Sequence, residues 1–111
     1  MEIITAKTSQ KKIIKSSYEV ALTMGCRTSL GIVMDCKPND LLSLKASLLV
    51  NNEKNTVRDF YNRTHELSLY RLQVIVKDIA DHHVRLLENK WAKDKQIDEC
   101  TTVEQVQSVK F

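Results

Sequence analysis

From Asn39 to Phe111 the chain has neither glycine nor proline. Gly25, Gly31 and Pro38 are its only such residues and fall in one short segment. These residues usually punctuate turns and strand ends, so their absence favours long helices over the last two thirds. Aromatic side chains are scarce too, at 5% of 111 residues. The core must therefore be filled by Leu, Ile and Val, with Phe60, Tyr61, Tyr70 and Trp91 as its few large pieces. That composition suits helix-on-helix packing better than a sandwich or a barrel.

Other absences exclude function classes. The start, Met1 to Lys7, lacks the basic residues and continuous apolar stretch of a signal peptide, and no run approaches the length needed to span a bilayer. The expectation is a cytoplasmic protein with no membrane partner. Cys26, Cys36 and Cys100 are odd in number and not closely paired, which points to reduced thiols rather than a disulfide framework. There is no Cys-x-x-Cys and no pair of histidines at ligand spacing: His82 and His83 are adjacent and diverge by about 100° on a helix. Asp78 with His82 has i, i+4 spacing but no third ligand nearby. No phosphate loop, dinucleotide motif, nucleophile elbow or paired-carboxylate site is present. The sequence thus predicts no metal and no cofactor.

What is present is an ordinary globular balance, with 42% apolar and 28% charged residues. Net charge is +3, from 17 Lys and Arg against 14 Asp and Glu, which neither requires nor excludes an anionic partner. The length allows one core, and we expect residues 1–111 to form a single helical domain.

Thr8 or Ser9 would cap a first helix running to Met24, with Gly25 as its C-terminal stop. The apolar run from Leu30 to Cys36 is ambiguous. A lone strand would lack a partner, so a short helix or irregular connection is favoured. Pro38, Asn39 and Asp40 start the next helix. Its Leu41, Leu42, Leu44, Ala46, Leu48, Leu49 and Val50 cover so much of the circumference that it must be central or covered on two sides. Residues 51–55 break it. A helical pattern then runs over about 55–96, roughly 60 Å if unbroken. That exceeds a compact domain of this size, so the helix either bends near 62–66 or projects and is covered by another chain. Residues 97–111 read as a short terminal helix or tail, with capping-box spacing over Thr101 to Glu104. The fold class expected is an all-α small helical bundle with one long C-terminal helix.

On that long helix Arg58, Tyr61, His65, Ser68, Leu72, Ile75, Val76, Ile79, His83, Leu86 and Leu87 share one stripe, while Phe60, Leu67, Tyr70, Val74 and Val84 lie opposite. Two apolar sides predict self-association, with Leu72, Ile75, Ile79, His83 and Leu86 as the interface of a homo-oligomer.

Arg58-Asp59-Phe60-Tyr61-Asn62-Arg63-Thr64-His65 is the one constellation with catalytic meaning. An arginine, a polar residue and then a histidine resembles the R-x(4 to 6)-H motif of HEPN-type ribonucleases, over eight residues. The resemblance implies a helical dimer in which Arg58 and His65 of two protomers face a cleft and cleave RNA without metal. Chemically, Arg58 would hold the scissile phosphate and His65 would move a proton near neutral pH. The structural alternative makes His65 a half-buried seam residue and Arg58 a solvated charge.

Two basic clusters, Lys11/Lys12/Lys15 and Lys90/Lys93/Lys95 beside Trp91, are suited to phosphate contact and stacking. Asp59 with Arg63 and Asp81 with Arg85, both at i, i+4, look like a solvated helix face. Ser9-x-x-Lys12 and the sequon Asn62-Arg-Thr64 match motifs by spelling only. The leading expectation is a non-enzymatic protein, such as an adaptor, inhibitor or accessory subunit, that binds a protein partner through exposed residues such as Lys90, Trp91 and Lys93. A HEPN-like ribonuclease is the first alternative, and a nucleic-acid-binding accessory protein is the second.

Overall fold

The computed structural model describes all 111 residues. In chain order it forms α1 (Ile3–Leu22), β1 (Cys26–Arg27), β2 (Val33–Met34), α2 (Pro38–Val50), β3 (Lys54–Arg58), β4 (Thr64–Ser68), α3 (Leu69–Glu99) and α4 (Val103–Ser108). Helix accounts for 63% of the chain, and two antiparallel two-stranded sheets, β1-β2 and β3-β4, make it mixed rather than all-α.

The largest correction concerns residues 54–68. The expected helix over 55–96 is replaced by a β-hairpin followed by α3. Lys54 pairs with Ser68, Thr56 with Glu66 and Arg58 with Thr64 on one face, and Asn55 with Leu67 and Val57 with His65 on the other. Burial alternates along β3 accordingly, with Asn55 and Val57 inward. The turn is made without glycine. Asp59 donates its N–H to the Arg63 carbonyl at 2.8 Å and accepts from the Asn62 N–H at 3.1 Å, while Asn62 takes φ 63°. A three-residue hairpin loop needs a left-handed residue, and asparagine tolerates that conformation better than other side chains.

Asn51 does the same for α2, ending it at φ 62° with its N–H bonded to the Leu48 carbonyl. The start of α2 at Pro38 is as expected, and Asp40 accepts from the Lys37 N–H at 3.2 Å. Helix α1 begins at Ile3 rather than near Thr8. The Thr8 hydroxyl does not cap; it donates to the Ile4 carbonyl one turn back. The segment 30–36 is also corrected: Val33–Met34 pairs with Cys26–Arg27, a partner too short to read from the sequence. The capping box of α4 sits one residue later than expected, on Thr102 and Gln105.

The chain divides into two compact units. In the unit formed by residues 22–84, Leu72, Ile75, Val76 and Ile79 follow at i, i+3, i+4 and i+7 along α3. They share a core with Val57 and Leu67 of the hairpin, Leu41 of α2, and Cys26, Met34 and Cys36. Ser29 donates both its N–H and its hydroxyl to Asp78 of α3.

The unit formed by residues 1–21 and 85–111 gathers Ala6, Ile14, Ile97, Val106 and Val109. The buried Gln10 donates to the Val109 carbonyl at 2.7 Å, while Lys7 and Lys11 reach the Asp98 carbonyl and carboxylate respectively.

Candidate functional site

The hairpin corner carries the densest polar network. Asp59 is only 1% exposed. Its carboxylate accepts from the N–H groups of Tyr61 and Arg63, from Arg63 Nε at 3.2 Å and from His65 Nε2 at 2.8 Å. A carboxylate ionised at neutral pH only accepts, so Nε2 of His65 carries the proton. The hydrogen bond with His65, helped by the two backbone donors and the Arg63 guanidinium, lowers the Asp59 pKa from 3.8 to about 2. The Asp59–Arg63 pair expected along a helix therefore exists, but it spans a turn. Arg63 also lies over the Tyr61 ring, 5.2 Å from its centroid.

The structure does not bring Arg58 and His65 together. They belong to opposite faces of the hairpin: Arg58 lies with Thr56, Glu66 and Thr64 on the outer face, and His65 with Val57 on the inner one. Every polar partner of the Asp59 carboxylate is also a local one, within six residues. The network closes the turn.

Of the residues expected at an oligomer interface, Leu72, Ile75 and Ile79 are fully buried in their own unit's core. His83 donates Nε2–H to the Cys36 carbonyl, and Leu86 is half-buried. The apolar stripe of α3 is thus covered by α2 and the hairpin of the same chain. His82 is half-buried, and the carboxylate of Asp78 is taken by Ser29. No three His, Cys, Asp or Glu side chains converge in a way that could hold a metal ion.

Exposed apolar side chains occur on α1 (Ile4, Ile13, Val20) and α3 (Tyr70, Val84, Trp91) as well, but on α2 they form a ridge. Leu41, Leu44 and Leu48 face the core, while Leu42, Ala46, Leu49 and Val50, at i, i+4, i+7 and i+8, form a ridge on the opposite side. Leu42 is 66% exposed, Leu49 88% and Val50 65%. Lys45 flanks this ridge, and Lys37 precedes the helix. The sequence signal was the helix's nearly continuous apolar circumference, which called for cover on two sides. One side receives it.

In the other unit, Trp91 is 58% exposed, Lys93 is half-buried, and Lys90 is bound to Asp94 at 2.9 Å. The two basic clusters are partly brought together: Thr8, Lys11, Lys12 and Lys15 of α1 and Lys90 and Asp94 of α3 line one open groove of about 350 Å³. Lys93 and Lys95 do not line it. No helix is long and apolar enough to cross a membrane.

Comparison with known proteins returns no matching family model, curated protein or solved structure.

Proposed function

We propose that this is a non-enzymatic binding protein whose α2 ridge docks into another protein. The observation that carries this reading is one helix with two apolar faces, of which the chain covers only one. Large apolar side chains aligned at helical spacing in water favour burial against a partner. A convex ridge of leucine and valine on a 13-residue helix suits an apolar groove, with Leu42, Ala46 and Leu49 as anchors one or two turns apart.

Charge selects the partner's chemistry. Lys45 flanks the ridge, so the matching groove has an apolar floor with an acidic edge. The ribonuclease alternative takes no part in this reading, because Arg58 and His65 point from opposite faces of the hairpin.

The test is the double variant Leu42→Asp/Leu49→Asp. Both residues are exposed, so helicity and thermal midpoint should stay near those of the unaltered protein. Affinity capture from the native host, identified by mass spectrometry, should retain an acidic-edged partner with the unaltered protein and lose it with the variant. Identical captured proteins would sink the proposal. A dimer in light scattering that the variant dissociates would replace the foreign partner with a second copy.

A further inference from the structure

We infer that the lysine-lined groove between α1 and the second half of α3 binds the sugar–phosphate backbone of single-stranded nucleic acid. The inference is independent of the α2 ridge, which belongs to the other compact unit.

Thr8, Lys11, Lys12 and Lys15 recur at i, i+3, i+4 and i+7, so α1 presents them as one stripe, and Lys90 supplies a cation from α3. Within this set the charges are not all spent. Lys11 is paired with Asp98 at 2.6 Å and Lys90 with Asp94 at 2.9 Å, but Lys12 and Lys15 form no ion pair. Two cations therefore face an open groove with no carboxylate of their own. Asp94 does not reverse the sign, since its charge is matched by Lys90.

The chemistry narrows the ligand to a repeating anion. All the cations in the groove are lysines. An arginine fork would clamp one phosphate bidentately, whereas ammonium groups act as point charges that tolerate a shifting row of phosphates. Lys11 and Lys15 are also about one helical turn, roughly 6 Å, apart along α1, so they serve successive anions rather than converging on one. The groove is wide open between two helices, and a flexible single strand can follow it. Trp91 follows Lys90 directly and exposes most of its indole, offering a base-stacking surface beside the track.

Fluorescence anisotropy with a labelled oligouridylate or oligothymidylate tests this on the full chain. Binding should weaken with salt, with a log–log slope of about −1.4 to −2.8 for two to four lysines engaged. The emission of Trp91, the only tryptophan, should fall as the strand binds. Lys12→Glu/Lys15→Glu should weaken binding at least tenfold with unchanged circular dichroism. Lys12→Gln/Lys15→Gln should show a smaller loss in the same direction, which guards against misfolding of the charge-reversed protein. Lys54→Gln/Lys77→Gln, in the other unit, should bind as the unaltered protein does. The inference is overturned by the absence of oligonucleotide binding at low salt, or by binding indifferent to Lys12 and Lys15. Tighter binding to polyglutamate or to anionic vesicles than to the oligonucleotide would overturn it as well.

Discussion

The carboxylate of Asp59 lies 2.8 Å from Nε2 of His65, and this contact ties together the two ends of the corner between β3 and β4. Two residues that a helix would have set on different turns are held together because the chain reverses between them. The same carboxylate satisfies the N–H groups of Tyr61 and Arg63, so one buried side chain organises the whole loop.

Its titration should be visible in stability. The Asp59 pKa is lowered from 3.8 to about 2, so its stabilising contribution is complete above about pH 4 and is lost as the pH falls towards about 2. Urea unfolding followed from pH 7 to pH 2 should show a steeper loss over that window in the unaltered protein than in Asp59→Asn. Asp59→Asn should also be less stable at pH 7. Parallel pH profiles would show that the corner does not act through this charge.

The two glycines separate backbone strain from crowding. Both adopt positive φ, 79° at Gly25 and 78° at Gly31, yet a methyl group at Gly25 would lie 2.9 Å from Phe60 Cδ2 while one at Gly31 meets open space. Gly31→Ala should therefore cost about 1 kcal/mol through backbone conformation alone. Gly25→Ala should cost about 2–4 kcal/mol, since the Phe60 ring must also move. Phe60 is tethered by its own N–H to the Val33 carbonyl, which limits that movement. Equal shifts in the urea midpoint would remove the crowding argument.

The cysteines should react in an order set by burial. Burial, reinforced by the neighbouring Cys26, pushes the Cys36 thiol up to about 11, and the thiol donates to the Leu22 carbonyl in the interior. Cys26 is buried as well, whereas Cys100 is only half-buried. Since the thiolate is the reactive form, an aromatic disulfide reagent at pH 8 should titrate one thiol quickly in the native protein and all three in denaturant. Cys100→Ser should abolish the fast phase; its persistence would place an accessible thiol elsewhere.

Much of α2 and the apolar stripe of α3 was legible because its signals are local, although that stripe was expected to meet a second copy rather than the chain's own core. Pro38, Asn39 and Asp40 mark a start, and Leu72, Ile75, Val76 and Ile79 repeat at helical spacing whatever surrounds them. The hairpin was hidden because its turn uses Asp59 and Asn62 where glycine is more usual. Its period-two pattern, Asn55 and Val57 followed by His65 and Leu67, is also short and half polar. The candidate sites were legible as residue types but not as places: the lysines of α1 were visible as a cluster, while their meeting with Lys90 was not.

The sequence by itself determined that this chain is mostly helical, where α2 begins, and that Leu72, Ile75 and Ile79 of α3 share one stripe, because helix caps and i, i+4 periodicity are properties of neighbouring residues. Only the tertiary structure decided that residues 54–68 form a hairpin, since strands gain their hydrogen bonds from pairing across the turn and their burial from α3. It also decided which apolar surplus is left in water. Leucine, isoleucine and valine on α2 and α3 are equivalent as letters, and packing covers the stripe of α3 while leaving Leu42, Leu49 and Val50 of α2 exposed.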